Sequence, residues 1–197
     1  MKVTRAKSIE NREIVLETAA RLFREKGFDG IGISDLMKSA GLTSGGFYKN
    51  FESKEDLIAK SCQRLSERTA SRWKEHIANP EVPNPLKRIA SSYLSEKNRD
   101  NLATTCMYST LAAEVPRHGK AVQKVFAEGL ESVLEILSTL VPGSTEEEKR
   151  ANAIAMFSQW VGALILSRAA SDNTLSDEIL AVAREGSHLE GSGLRER

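Results

Sequence analysis

Hydroxyl, phenol and ammonium groups gather in one short stretch of this chain. Thr43 and Ser44 carry hydroxyls, Tyr48 carries a phenol, and Lys49 and Lys54 carry positive charge. Groups of these kinds bind the phosphate oxygens and base edges of nucleic acids. They form neither a nucleophile with its base nor a set of metal ligands. The chemistry that they suggest is recognition of a nucleic acid.

Two short helices with a glycine between them would position these groups. Leu36, Met37 and Ala40 repeat at spacings of three and four residues, which predicts one apolar stripe on a short helix. Gly41 follows this stripe, where a residue without a Cβ atom favours the left-handed conformation that ends a helix. Leu42 is then expected to pack back under the turn.

The second short helix is expected over residues 43–49, with one of its first hydroxyl residues as the N-terminal cap. Phe47 and Phe51 lie four residues apart and would fill the core behind it. Gly45 and Gly46 each weaken a helix by about 1 kcal/mol relative to alanine, and close approach to a DNA backbone would explain them. Two helices joined by a tight turn with glycine are typical of a helix-turn-helix DNA reader. The alternative is a plain surface turn between two core helices.

About the first sixty residues also contain an ordered series of short motifs. They are AARLFREKGF at 19–28, Asp35-Leu36, AGLT at 40–43, Phe47-Tyr48, Phe51 and SKE at 53–55. At these spacings the series resembles the DNA-binding domain of the TetR family of bacterial transcriptional regulators, of the AcrR-like kind. Gly32 stands where that family usually carries threonine at the start of the second helix, so the resemblance points to Ser34 for a phosphate contact there.

The helical layout and the resemblance together predict a DNA-binding set on or beside the two short helices. Its members are Ser34, Thr43, Ser44, Gly45, Gly46, Tyr48, Lys49 and Lys54. Thr43, Ser44 and Lys49 are expected at base edges or adjacent phosphates. Tyr48 and Lys54 are expected to hold phosphates and set the register, and the basic N-terminal arm would add contacts. The predicted partner is double-stranded DNA with a palindromic operator, because each subunit of a two-fold dimer reads one half-site.

The charge distribution fits site-specific docking better than general coating of nucleic acid. The 197 residues carry a net charge of only +1, but residues 1–50 hold nine Lys or Arg against six Asp or Glu. A weak overall field with a basic end favours binding at a particular site. No apolar run is long enough to span a membrane and no signal peptide is evident, so a cytoplasmic location is expected, with Cys62 and Cys106 as free thiols.

Helical patterns cover almost the whole chain and predict an all-α fold of about nine helices. Their expected bounds are 8–26, 33–40, 43–49, 53–78, 86–94, 106–114, 120–140, 145–170 and 175–185. The polar run 96–101 is expected to be a loop. Residues 1–52 are expected to form a three-helix DNA-binding domain and residues 53–187 a helical bundle for ligand binding and dimerisation. Residues 188–197 are expected to be a flexible tail.

The segment 153–166, AIAMFSQWVGALIL, is apolar around most of its circumference and must be buried on several sides. One explanation is an ordinary central core helix. The other is a homodimer, because Gly162 and Ala163 would let another helix approach closely and soluble oligomers are usually symmetric. The TetR resemblance implies a two-fold dimer through the last two helices. The residues proposed for that interface are Phe157, Val161, Gly162, Ile165 and Leu180.

A small-molecule pocket is expected between the middle helices of the bundle. The stretch 106–115 resembles a segment that lines or adjoins the effector cavity in one branch of the TetR family. Candidate lining residues are Trp73, His76, Tyr93, Cys106, Met107, Tyr108, Thr110, Phe126 and Trp160. They would suit an aromatic or hydrophobic effector, and simple core packing is the alternative for each. Cys106 is either a redox or electrophile sensor at a helix start or an inert buried thiol.

Patterns that would indicate catalysis are weak. The run SRWK at 71–74 matches a Ser-x-x-Lys motif without its partner motifs, and His76, His118 and His188 lack metal-ligand spacing. No enzymatic activity, cofactor or metal is expected. The resemblance therefore implies a ligand-responsive transcriptional regulator, expected to be a repressor that a small molecule releases from its operator. The alternative is a helical ligand-binding or interaction dimer that does not read DNA.

Overall fold

A computed structural model of the chain describes residues 5–187, and every regular element in that range is helical. The described residues form nine α-helices and two short 3-10 helices. The α-helices are α1 (Arg5–Lys26), α2 (Ile33–Ser39), α3 (Lys54–Ala78), α4 (Pro85–Tyr93), α5 (Glu96–Asp100), α6 (Tyr108–Leu111), α7 (Lys120–Ser138), α8 (Glu146–Ala169) and α9 (Asn173–Gly186). The 3-10 helices are Ser44–Lys49, called the recognition segment below, and Val115–Arg117. The predicted all-α fold is confirmed.

Helix starts and ends follow local signals that are present in the sequence. The Asn84 side chain accepts a hydrogen bond from the Lys87 amide at 2.8 Å, directly before the proline that opens α4. The Thr145 hydroxyl accepts one from the Glu148 amide at 3.2 Å at the start of α8. Helix α1 ends at Gly27, which has a φ of +80°. These caps explain why most helix bounds were predictable.

The predicted loop over 96–101 is wrong, because this run forms the short helix α5. The Ser95 hydroxyl caps its start by accepting from the Asn98 amide at 3.2 Å. The Arg168 guanidinium then donates to the carbonyls of Asn98 and Arg99, at 3.0 and 2.9 Å. A cation at a helix C-terminus is favourable, and this one comes from α8, far along the chain. The helix expected over 106–114 is also shorter, since only α6 and the 3-10 helix Val115–Arg117 are regular there.

The chain divides into two compact units. The first unit comprises the described residues up to Glu67 together with Leu102–Gly129. It therefore contains α1, α2, the recognition segment, the first part of α3, α6 and the first part of α7. Its core includes the buried rings of Phe23, Phe28 and Phe47. The predicted domain boundary after residue 52 stays a prediction.

The second unit comprises Arg68–Asn101 and the described residues from Leu130 onward. Helices α8 and α9 pack along each other within it, and Trp160 and Leu180 are fully buried in its core. The predicted tail 188–197 lies outside the described residues. Within residues 5–187, no helix is both long enough and apolar enough to cross a lipid bilayer.

Candidate nucleic-acid interface

The turn between α2 and the recognition segment is closed around one left-handed glycine. Gly41 has a φ of +70°, and a Cβ atom there would meet nothing within 4 Å. The Leu42 amide donates to the Met37 carbonyl at 2.9 Å across the end of α2. This is the helix-ending geometry that the sequence predicted, and it leads the chain directly into the recognition segment.

The recognition segment is a 3-10 helix and has one buried and one exposed side. Phe47 is fully buried, with its ring centroid 5.6 Å from that of Phe51. Tyr48 follows it and is 71% exposed. The expected cap by the hydroxyl of Thr43 or Ser44 is wrong, because the Thr43 side chain accepts no capping hydrogen bond and the Ser44 hydroxyl pairs with that of Ser34. The first turn is closed instead by the Gly46 amide, which donates to the Thr43 carbonyl at 3.0 Å.

The predicted DNA-binding residues lie together around this segment and the start of α2. Six of them are exposed, namely Ser34, Thr43, Ser44, Gly45, Tyr48 and Lys49. Gly46 and Lys54 are half-buried. The Ser34 and Ser44 hydroxyl oxygens are 3.2 Å apart, so these two residues hydrogen-bond across the turn. Seven of the eight residues thus lie on α2, on the recognition segment or in the turn between them, and Lys54 begins α3. The contact of each residue with DNA stays a prediction.

Lys54 begins α3 beside an acidic residue. Its Nζ atom lies 3.6 Å from Oδ1 of Asp29, whose side chain is 81% exposed. An ion pair this long and this exposed contributes little, because water screens both charges. Lys54 is thus only weakly held by Asp29.

The two glycines of the recognition segment differ in their surroundings. A Cβ atom at Gly45 would meet nothing within 4 Å, whereas one at Gly46 would lie 3.7 Å from Cε of Met37. Packing inside the chain therefore gives no reason for glycine at position 45. An external partner that approaches the backbone closely would supply one, as the sequence analysis expected.

Glu114 connects the segment after α6 to the turn that follows α1. Its Oε2 atom accepts a hydrogen bond from the Phe28 amide at 2.7 Å. A Cβ atom at Gly27 would lie only 2.5 Å from Oε1 of the same carboxylate. Gly27 is thus needed both for its left-handed φ and for the close approach of Glu114. Glu114 and Phe28 are 86 positions apart, so no local pattern in the sequence signals their contact.

Glu55 forms a second contact of this kind in the first unit. One carboxylate oxygen lies 2.7 Å from Nδ1 of His118, and the other accepts from the Gly119 amide at 3.1 Å. The His118 ring packs edge-on against Phe28 at 4.9 Å between centroids. Burial acts to raise the pKa of Glu55, but the hydrogen bonds from His118 and Gly119 lower that pKa below its ordinary value. The Glu55 and Glu114 contacts hold residues 114–119 against α3 and against the turn that follows α1.

Five of the predicted effector residues belong to the first unit. Met107, Tyr108 and Phe126 are buried, and Cys106 and Thr110 are half-buried. The rings of Tyr108 and Phe126 meet edge-on at 4.9 Å between centroids. Burial raises the pKa of the Tyr108 phenol, with smaller contributions from the Cys106 and Cys62 thiols. Burial also raises the pKa of the Cys62 thiol to about 12.

The other four predicted effector residues belong to the second unit. Trp73, Tyr93 and Trp160 are buried and form a cluster with Phe157, in which ring centroids are 5.4 to 6.3 Å apart. His76 is half-buried in the last turn of α3. The ring contacts of the cluster are those of core residues. An effector role for any of the nine residues stays a prediction.

The residues proposed for a dimer interface fall into two groups. Phe157 and Leu180 are buried within the second unit, which leaves little of their surface for a partner. Ile165 is 47% exposed, while Val161 and Gly162 are half-buried. A Cβ atom at Gly162 would meet nothing within 4 Å, as expected if space is left for another helix. Further exposed apolar residues on α8 and α9 are Ile154, Leu166, Leu175 and Val182.

Residues 15–60 match the family described as bacterial regulatory proteins, tetR family. This match covers the helix-turn-helix region, and together with relatives aligned over most of the chain it supports a TetR-family regulator. It is 27% identical over 164 residues to the transcriptional repressor NemR of Escherichia coli K12, covering 78% of this chain and 82% of NemR. It is also 33% identical over 57 residues to the transcriptional regulator AcrR of Shigella flexneri, covering 29% of this chain and 26% of AcrR.

Solved structures share the fold over nearly the whole length. The crystal structure of reduced Escherichia coli NemR has a TM-score of 0.76 at 25% identity, covering 91% of this chain and 95% of that one. A TetR-family regulator from Agrobacterium tumefaciens has the same TM-score at 20% identity, covering 91% and 98%. The chain is a ligand-responsive DNA-binding transcriptional regulator and not an enzyme. The alternative of a helical dimer that does not read DNA is not favoured.

Proposed function

We propose that this TetR-family regulator is a cytoplasmic repressor that binds a palindromic operator as a homodimer and is released by a small molecule. One observation carries the proposal: the recognition segment buries Phe47 completely and presents Tyr48, at 71% exposure, to the outside. An amphipathic tyrosine held outward on a helix-turn-helix, beside Ser44 and Lys49, suits contact with a DNA groove. The repressor names of relatives such as NemR support the sign of regulation.

Each exposed residue has a distinct proposed role. The hydroxyls of Thr43 and Ser44 and the ammonium of Lys49 bind base edges or adjacent phosphates in the major groove. Tyr48 and Lys54 bind phosphates and set the register of the segment along the duplex. Lys54 reaches its phosphate by leaving Asp29, to which it is only weakly paired at 3.6 Å.

The dimer is proposed to form through one face of α8 and α9. Ile154, Val161 and Ile165 are spaced by seven and four residues, so they lie along one side of α8. Two of these three side chains, Ile154 and Ile165, are exposed at 43% and 47%. Exposed apolar surface of this extent favours burial against a second copy of the same face. The two-fold axis then pairs two recognition segments, which is why a palindrome is expected.

The effector is proposed to be an aromatic or hydrophobic small molecule. The support is a set of buried rings and one methionine, namely Met107, Tyr108 and Phe126 in the first unit and Trp73, Tyr93 and Trp160 in the second. An effector that binds the arrangement of the subunits that does not bind DNA more tightly than the one that does shifts the population away from the DNA-binding arrangement. The Glu114 and Glu55 contacts connect residues 114–119, which follow the segment that carries Cys106 and Tyr108, to the residue after α1 and to α3 in the same unit.

The direct test is selection of bound sequences from random duplex DNA by the purified full chain at near-physiological salt. An enriched palindrome supports the proposal, and its half-site spacing reports the dimer geometry. The selected duplex also becomes the probe for releasing compounds. No enrichment would contradict the DNA-reading role and favour the helical ligand-binding dimer.

Two substitutions and a control then test the docking residues. Tyr48→Ala and Lys54→Ala are each expected to weaken operator binding, and Lys54→Ala to lower the salt slope by about one counterion. Lys124→Ala is the matched control, because that lysine is 76% exposed on α7. If Tyr48→Ala and Lys54→Ala left affinity and salt dependence equal to those of the control, the docking geometry would be wrong.

A further inference from the structure

We propose that Asn50 is a positioning residue for operator recognition, which holds the recognition segment in its DNA-reading geometry without touching DNA itself. The inference rests on the proposed function and names a residue that none of the predicted DNA contacts include. It concerns the C-terminal end of the recognition segment, where Asn50 is the residue directly after Lys49.

The recognition segment needs external support. It has only six residues, two of them glycine, and adopts the 3-10 conformation. Helices of this kind have poor hydrogen-bond geometry, and glycine favours the unfolded chain. No side-chain cap from Thr43 satisfies its N-terminal amides. Phe47 anchors the middle of the segment, but one buried ring does not determine the rotation of the segment about its own axis.

Asn50 supplies hydrogen bonds to the carbonyls at the end of the segment. Its side-chain Nδ2 donates to the Gly46 carbonyl at 3.1 Å, and its backbone amide donates to the Phe47 carbonyl at 2.9 Å. The Phe47 carbonyl also accepts from the Phe51 amide at 3.1 Å, so the bond to the Gly46 carbonyl is the one that depends on the Asn50 side chain. The Ser8 hydroxyl of α1 lies 3.5 Å from Oδ1 of Asn50, at the outer limit of a hydrogen bond. The half-buried amide thus lies between the segment and α1.

The opposite end of the segment is held separately. The Ser44 hydroxyl lies 3.2 Å from that of Ser34, so the first residue of the segment is tied to the start of α2. With this end tied and Phe47 buried, loss of the Asn50 side chain frees mainly the last turn. That turn carries Tyr48 and Lys49. Their charge and chemistry remain, but their placement against base edges and phosphates becomes variable.

Loss of the Asn50 side chain should weaken sequence-specific binding selectively. Sequence-specific binding requires correct placement of each side chain, whereas non-specific binding depends mainly on charge. Asn50→Leu keeps the side chain's size but removes the donor. We expect operator affinity to fall about three- to tenfold, the effect of one net hydrogen bond, with non-specific affinity unchanged. Asn50→His offers an N–H donor at the same δ position, and we expect it to retain operator affinity to within about twofold.

The experiment uses the full chain and the duplex selected by the wild-type protein, with an unrelated duplex of equal length as the non-specific probe. Asn152→Leu is the matched control, because the Asn152 side chain on α8 also donates to a backbone carbonyl, that of Pro142, at 2.9 Å. Melting temperatures of all variants are measured alongside. The expected result is a lower specific affinity in Asn50→Leu alone, with a melting temperature similar to that of Asn152→Leu.

Several outcomes would overturn the inference. They are an Asn50→Leu operator affinity equal to that of Asn152→Leu, an equal loss of specific and non-specific affinity, and a failure of Asn50→His to retain binding. The second of these would indicate a phosphate contact. If the wild-type protein selects no sequence, the proposed function fails and this inference fails with it.

A measurement on the wild-type protein covers the case in which Asn50→Leu does not fold. The Asn50 side-chain amide protons should exchange with solvent more slowly than those of the exposed Asn173. Equal exchange rates at the two asparagines would also overturn the inference.

Discussion

Gly27 and Gly41 form a matched pair that isolates the contribution of Glu114. Both glycines follow a helix and have left-handed φ values, +80° and +70°. A Cβ atom at Gly41 would enter open space, whereas one at Gly27 would lie 2.5 Å from Oε1 of Glu114. Gly41→Ala therefore introduces backbone strain alone. Gly27→Ala introduces the same strain and also displaces a carboxylate that accepts from the Phe28 amide.

The magnitudes follow from these two terms. An alanine in the left-handed region costs about 1–2 kcal/mol, which is the whole effect expected for Gly41→Ala. A hydrogen bond to a charged acceptor contributes about 1.5–3 kcal/mol, and we take the lower end because Glu114 is half-buried. Gly27→Ala should therefore lower the free energy of unfolding by about 1.5 kcal/mol more than Gly41→Ala does. In a chain of this size the difference corresponds to about 3–6 °C in melting temperature.

Urea unfolding followed by circular dichroism measures both free energies, at one fixed protein concentration because a dimer's stability depends on it. The double-mutant cycle with Glu114→Ala gives the sharper result. In that background the carboxylate is absent, so Gly27→Ala should cost only the strain and should match Gly41→Ala. Equal destabilisation by the two glycine substitutions in the wild-type background, or no relief by Glu114→Ala, would refute the reasoning.

Three further predictions concern the site and its surroundings. Gly45→Ala should leave the stability of the free protein unchanged or raise it by up to about 1 kcal/mol, since the added Cβ enters open space. The same substitution should weaken operator binding. Unchanged binding would mean that DNA does not approach this glycine. The pKa of Glu55 is lowered in the folded state, so its stabilising contribution is present above the ordinary value of 4.5 and is lost as the pH falls through the folded-state pKa. Thermal melts from pH 7 to 3 should therefore show that the melting temperature of Glu55→Gln falls less with acid than that of the wild type. Parallel curves for the two proteins would argue against the contact between Glu55 and His118. Iodoacetamide at neutral pH should label half-buried Cys106 and spare buried Cys62, because burial raises the pKa of the Cys62 thiol to about 12. Mass spectrometry identifies the labelled cysteine. If operator binding survives labelling of Cys106, that thiol is not a sensor.

Features that depend on neighbouring residues were predictable from the sequence. Gly41 follows an apolar stripe, and the structure gives it the expected left-handed φ of +70°. Phe47 and Tyr48 are adjacent in the recognition segment, and one is buried while the other is exposed, as the helix-turn-helix pattern indicates. Local signals suffice for such features because a cap, a turn or an apolar stripe is decided within one or two helical turns.

Features that depend on distant partners came only from the tertiary structure. Helix α5 forms in a run expected to be a loop, and besides its local Ser95 cap it has a distant partner, since Arg168 of α8 donates to the Asn98 and Arg99 carbonyls. Phe157 and Leu180 were assigned to a dimer face, but packing inside the second unit buries both. Apolar character alone does not distinguish burial within one chain from burial against a second copy.

The contacts of Glu55 and Glu114 show most clearly the difference between features that depend on neighbouring residues and features that depend on distant ones. The sequence determined the all-helical fold, the helix-turn-helix and the residues that face outward from it. It contained no sign that Glu114 reaches the Phe28 amide or that Glu55 meets His118, contacts that span 86 and 63 positions. Only the packed helices decide such pairs, because the distance between two side chains far apart in sequence depends on every helix placed between them.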